Sequence, residues 1–243
     1  MSSLRRKIPR SMPDTSRLSS PPVALVAGGI RTSGRVIERE LAKDHRVITI
    51  SRPIAAGAEV AVGHGEIVEC DLTLRDDRAG LIAGLRTQCA RIDLLVNVAD
   101  EAFGEPSGFL EDSEERFDNV LSASLKGLHF LSQAVARWML EQKGGRIVFV
   151  IPVMSGNAGR GLAERVSHAG LSMSRLLYTH RLAAEGIQVF EVRQEVEPIT
   201  PQFDALRPAA DLASVIRSIA DGKLDYLAGQ ALFLGVSPRL HEL

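Results

Sequence analysis

The sequence predicts a doubly wound α/β fold, with one domain over residues 23–243 built around a central, mostly parallel seven-stranded sheet behind an N-terminal arm of residues 1–22. Three observations predict it. Seven short β-rich runs recur along the chain. Segments with helix-period apolar spacing separate most of them. The runs are consecutively apolar rather than alternating, as expected of parallel strands covered on both faces. A chain of 243 residues with 45% hydrophobic side chains can bury a full core as one domain.

The first run, Val23 to Val26, passes through Ala27, Gly28 and Gly29 into an apolar-periodic segment ending at Leu41, which reads as strand, tight turn and helix. Arg46 to Ile50 and Glu66 to Cys70 repeat the strand signal. Helical spacing over Arg75 to Leu85 then precedes a strand at Ile92 to Val96. Phe117 to Leu140 reads as a long amphipathic helix, broken near its start and stopped by Gly144 and Gly145 before a strand at Arg146 to Ile151. A helix over Glu164 to Ala184 is released by Gly186 into a strand at Ile187 to Val192. Asp211 to Ala220 and Ala231 to Leu234 supply the last helix and strand. Gly156 to Gly161 and the segment around Pro198 and Pro201 read as loops.

Lysine plus arginine total 29 against 30 acids, so a formal charge of −1 gives no bulk attraction to nucleic acid or to an anionic membrane. The arm is basic and serine-rich but lacks the apolar stretch of a secretory signal, and Pro9 and Pro13 interrupt any continuous amphipathic helix there. A flexible arm on a cytoplasmic protein is the expectation, and Met12 offers a second start. Cys70 and Cys89 are the only cysteines, which fits reduced structural thiols better than a disulfide scaffold. No histidine spacing matches a metal-binding motif, and no metal site is expected.

An open α/β sheet places ligands beyond the carboxyl ends of its strands. The first strand leads into AGGIRTSG, in which Gly28 and Gly34 permit a tight turn and close helix packing while backbone N–H groups at the helix start can meet a pyrophosphate. A purely structural turn has the same requirements, and both readings stay open here.

Beyond the arm the chain resembles the short-chain dehydrogenase/reductase family, especially its carrier-protein ketoreductase-like members. Their first turn commonly reads TGGSRGIG. Gly28, Gly29, Arg31 and Gly34 match it, while Thr32 stands in the place of the central glycine. The family's DLT motif recurs at Asp71 to Thr73, with Asp71 expected near an adenine, and its NNAG motif becomes Asn97, Val98, Ala99 and Asp100. The resemblance implies a Rossmann-like dinucleotide site. Arg31 and Arg52 imply contacts to an adenosine 2'-phosphate, hence NADP over NAD. The Cβ of Thr32 and the carboxylate of Asp100 imply crowding and repulsion, so NADP is expected to bind weakly or not at all.

The family's proton chemistry is replaced residue by residue. Its NLKG motif is Ser124, Leu125, Lys126 and Gly127, without the supporting asparagine. Its IVNISS strand exit is IVFVIP, leaving Ile151 and Pro152 where serines orient substrate; Ser155, in the following turn, is an alternative hydroxyl. The SKAGL register is Ser167 to Leu171, so that His168 replaces the lysine and Glu164 the tyrosine. Four residues apart on a helix, Glu164 and His168 face the same side and form either an acid/base pair or a local salt bridge. Tyr178 lies roughly 20 Å along the same helix and reads as a packing residue.

The leading expectation is a catalytically divergent or inactive member that binds a small ligand or serves as an oligomer subunit. The alternative is an NADP-dependent oxidoreductase acting on a carbonyl, or a lyase or isomerase, using the Glu164–His168 pair. A homo-dimer or homo-tetramer is expected through the helices at Phe117 to Leu140 and Glu164 to Ala184, which resemble the family's interface, and an active homologous subunit is a further candidate partner.

Overall fold

The computed structural model describes residues 20–28, 32–53, 65–99, 110–153, 161–195 and 207–234, without the side chains of residues 32, 195 and 207–210. The strands are β1 (Val23–Ala27), β2 (Arg46–Ser51), β3 (Glu66–Glu69), β4 (Leu94–Val98), β5 (Gly145–Val153), β6 (Ile187–Glu195) and β7 (Ala231–Leu234). The helices are α1 (Thr32–Leu41), α2 (Arg75–Gln88), α3 (Glu114–Val120), α4 (Leu128–Gln142), α5 (Leu162–Leu182) and α6 (Arg207–Ala220). The sheet order is β3-β2-β1-β4-β5-β6-β7, and every pairing is parallel. The order reverses at β1, which pairs with β2 on one side and β4 on the other. At such a switch point the connections leave in opposite directions and open a crevice.

The continuous apolar runs are explained by the two layers they feed. Leu25 and Ala27 of β1 join Ile48, Ile50 and Leu95 beneath α2, α4 and α5. Ala24 and Val26 point the other way, toward Ile37 and Leu41 of α1 and Leu212, Ile216 and Ile219 of α6. Adjacent residues of one strand therefore each bury in a different core.

Most boundaries differ by one to four residues from the sequence expectation, the most at α6, which begins at Arg207 rather than Asp211, and three of them have a visible cause. The fourth strand begins at Leu94 rather than Ile92, because the Gln142 side chain takes both backbone groups of Ile92, accepting its N–H at 3.1 Å and donating to its carbonyl at 2.6 Å. The sixth strand runs on to Glu195, paired with β5 to the Val153 register; neighbouring backbone carries it through polar residues that periodicity reads as an exit. The long helix starts earlier, at Glu114, where the Ser113 hydroxyl accepts the Arg116 N–H at 3.2 Å. Its expected break is a seven-residue π-helical segment, Leu121–Gly127, between α3 and α4. The chain leaves α4 at Lys143, in the left-handed region at φ 59°, one residue before the expected glycine stop.

Glu191 of β6 is wholly buried. It accepts from Ser172 Oγ (3.0 Å), Arg175 Nε (3.2 Å) and Arg193 Nε (2.5 Å), while Arg175 also donates to the Gly229 carbonyl at 2.5 Å. This network ties α5 to β6 and to the turn before β7. Such a charge is tolerated inside only because it is fully partnered. Among the described residues, no helix is long and apolar enough to cross a membrane.

Candidate functional site

The crevice at the ends of β1, β2 and β4 is lined by Gly28, Ser51, Arg52, Asp71, Thr73 and Ser124, among others. It is narrow, with about 20 Å³ free, room for roughly one water. Gly28 follows β1 at φ 80°, and a Cβ there would lie 2.3 Å from the Val98 carbonyl oxygen. Both the backbone angle and this contact with β4 require glycine. Gly34 is buried in the first turns of α1.

Asp71 Oδ1 accepts from the Thr73 backbone N–H (2.9 Å) and hydroxyl (2.7 Å). Burial raises the Asp71 pKa, but the two Thr73 hydrogen bonds and the charges of Arg52 and Arg78 outweigh it and hold the carboxyl below its ordinary value. The Ser51 hydroxyl is buried with no hydrogen-bond partner among the described residues. An unsatisfied polar atom in a crevice wall is a place for a ligand atom.

Ser124 sits in the π-helical segment and faces this same crevice, 6% exposed. Three residues on, the bare backbone of Gly127 packs against Leu72, whose Cβ would be 3.0 Å from an added Cβ. Asn97 is buried, donating from Nδ2 to Ser132 Oγ at 3.0 Å, and its Oδ1 has no partner among the described residues.

Glu164 lies in the first turn of α5 and is 6% exposed. Its carboxylate meets Arg116 of α3, with Nη2 to Oε1 at 2.5 Å and Nη1 to Oε2 at 3.4 Å, and Arg116 Nη1 also reaches Asp112 Oδ1 at 2.8 Å. Two carboxylates thus surround one buried guanidinium. Burial lowers the Arg116 pKa, yet the hydrogen bonds and charges of Glu164 and Asp112 prevail and raise it. Gly161 makes room for the cluster: a Cβ there would stand 3.0 Å from Arg116 Nη1 and 3.3 Å from Glu164 Oε2.

His168 follows one turn later and is half-buried. Between them Ser167 is fully buried, and its hydroxyl has no hydrogen-bond partner among the described residues. The structure therefore gathers Gly28, Arg52, Asp71 and Ser124 at one crevice and binds Glu164 into a separate cluster with α3. Arg31, Asp100 and Ser155 lie outside the described residues, as does the side chain of Thr32, which opens α1.

Arg116, Asp112 and Ser51 escape sequence reasoning. Asp112 and Arg116 stand four residues apart, a legible helix pair, but Glu164 is 48 residues further on and nothing local announces it. Tyr178 donates its hydroxyl to the His129 carbonyl at 3.1 Å and stacks on Phe149, as a packing residue does, and burial raises its pKa. Among the described residues, no group of three histidines, cysteines or acids is arranged to hold a metal.

Comparison with known proteins adds two kinds of likeness. The family model described as short chain dehydrogenase matches residues 22–193. The 3-oxoacyl-[acyl-carrier-protein] reductase FabG of Haemophilus influenzae is 24% identical over 234 residues, covering 86% of this chain and 95% of the relative. The reductase MabA of Mycobacterium bovis, with the same 3-oxoacyl-[acyl-carrier-protein] activity in its name, is 24% identical over 225 residues, 86% of this chain and 89% of its own. A crystal structure of 3-oxoacyl-[acyl-carrier protein] reductase from Brucella melitensis in complex with NAD superposes with a TM-score of 0.73 at 27% identity, covering 88% of this chain and 95% of that one.

Proposed function

Because this chain belongs to the short chain dehydrogenase family, we propose that it is a catalytically divergent or inactive member that binds a small ligand at the family's crevice as a subunit of an oligomer. The observation that carries this reading is the engagement of Glu164 by Arg116 at 2.5 Å. At the register where the resemblance expects a tyrosine proton donor, a carboxylate paired with a guanidinium accepts hydrogen bonds and has none to give. General acid catalysis is worth about 10²–10⁴-fold, so a carbonyl reduced here would lack a large part of its drive.

The crevice has the chemistry for the adenosine half of a dinucleotide. Gly28 supplies the turn, Asp71 and the unsatisfied Ser51 hydroxyl supply hydrogen-bonding atoms, and Arg52 supplies positive charge that favours a 2'-phosphate. NADP supplies hydride chemistry when bound in this family. The steric and charge penalties assigned to Thr32 and Asp100 support weak binding, with NADP preferred to NAD.

Assembly follows from the helices. Val166, Met173 and Leu177 of α5 and Phe130 of α4 are exposed apolar side chains, supporting a homo-dimer or homo-tetramer; an active homologous subunit is an alternative partner. The two buried free cysteines support a reducing, cytoplasmic setting.

Calorimetric titration with NADP and NAD tests the binding claim. The expected result is weak binding, tighter for NADP, that strengthens when Thr32→Gly and Asp100→Gly are combined. Sub-micromolar affinity of the unaltered protein for both dinucleotides would remove the claimed penalty, and unchanged affinity in the double variant would place it elsewhere.

A further inference from the structure

We propose that the basic N-terminal arm, residues 1–19, docks as an extended strand into the groove between the outer edge of β3 and α2. The open groove offers about 290 Å³ and adjoins the crevice at the end of β1 through Cys70, which lines both. Its floor is apolar, built from Val68, Leu81 and Leu85, and its rim carries Glu69 and Asp77 with no cation among the described lining residues. Gly80 and Gly84 of α2 border it, and a Cβ at either would meet nothing within 4 Å. Among the described residues, the helix therefore presents bare backbone over open space.

β3 ends the sheet and, among the described residues, has no strand on its outer side, while Ile67 stands 38% exposed. An open edge above an apolar floor accepts an extended chain, whose backbone pairs with the edge while alternate side chains enter the groove.

Charge selects the occupant. Residues 1–19 contain Arg5, Arg6, Lys7, Arg10 and Arg17 against Asp14 alone, a formal side-chain charge of +4. The whole chain carries −1, so −5 falls on the remaining residues. Within the arm, Leu4, Arg6 and Ile8 lie on one side of an extended strand, two aliphatic side chains for the floor and a cation for the rim. Pro9, which has no N–H to offer, is tolerated in an edge strand.

Reach is sufficient. β1 begins at Val23 opposite Arg46, and Ile48 of β2 opposes Glu66 at the start of β3, so the arm enters the sheet at the end where β3 begins. The three strand spacings from β1 to a strand outside β3 are about 15 Å, whereas the 15 residues from Ile8 to Val23 span up to about 50 Å when extended.

Hydrogen exchange of the full-length chain tests the proposal. Backbone amides of β3 and of the groove-facing turns of α2 are expected to exchange about fivefold faster in an Arg5→Glu, Arg6→Glu, Lys7→Glu variant than in the unaltered protein, and high salt is expected to speed exchange in the unaltered protein but not in the variant. Glu69→Lys, which changes only the rim, is expected to give the same loss, and combining it with the arm variant is expected to restore part of the protection. Unchanged exchange in both the arm variant and Glu69→Lys would overturn the proposal. Protection that disappears on dilution would overturn it as well, assigning the groove to another chain.

Discussion

Asp112, Arg116 and Glu164 place two buried carboxylates on one guanidinium, and the arginine holds the arrangement together. Removing the cation leaves both acids desolvated and unneutralised, a loss of about 3–5 kcal/mol for a buried pair. Arg116→Met is accordingly expected to destabilise the protein by that amount in urea unfolding. Glu164→Gln, which leaves the Asp112 contact and an amide oxygen for Arg116, is expected to cost about 1–2 kcal/mol. An Arg116→Met variant as stable as the unaltered protein would dissolve the cluster as a structural unit.

Cys70 gives a second expectation. Burial, reinforced by Asp77 and Asp71, pushes its thiol from 9.0 up to about 11. At pH 8 iodoacetamide is expected to alkylate it on the order of a hundredfold more slowly than an exposed thiol, and at the ordinary rate once the chain is unfolded. The sign for stability follows: an acid whose folded pKa is raised contributes fully below its unfolded pKa and loses that contribution as pH rises through about 11. A Cys70→Ala variant is expected to lose less stability between pH 9 and 11 than the unaltered protein, as read by thermal unfolding at each pH.

The helices show which features local sequence encodes. Periodicity locates the segment from α3 to α4 but not the π-helical turn at Leu121–Gly127, in which Gly127 packs against Leu72 and Leu125 lies against Gly170 of α5. Ser124, singled out in sequence by its NLKG-like register, stands in the crevice wall. The limit seen at the π-helical turn applies to Glu164 as well. Its neighbour four residues on, His168, is visible in sequence, whereas Arg116 comes from another helix. The exposed stripe of α5, by contrast, is legible as apolar residues on a helix with no core left to fill: Met173 is 56% and Leu177 63% exposed. Met173→Glu with Leu177→Lys is expected to shift the protein toward monomer in sedimentation across a dilution series. A clean monomer of the unaltered protein at micromolar concentration would contradict the assembly claim.

For the whole molecule, the order of strands and helices is legible because each apolar run must be covered on two faces and each crossover must carry a helix. The boundaries that moved, at Leu94 and Glu195, moved through side-chain and ladder hydrogen bonds between distant segments. The resulting sheet keeps the crevice at the switch point, while the α3–α5 ion cluster engages Glu164, which stands at the register where the resemblance expects a proton donor. On the proposed function, binding survives where proton delivery is lost. The most direct test is hydride transfer with NADPH demonstrably bound, followed by the loss of reduced-nicotinamide absorbance with simple ketones and with thioester-linked β-keto substrates. No hydride loss in any carbonyl class is the predicted result, whereas turnover that survives removal of contaminating reductases and vanishes in both Glu164→Gln and His168→Ala would contradict the account and identify the two residues as a working acid/base pair.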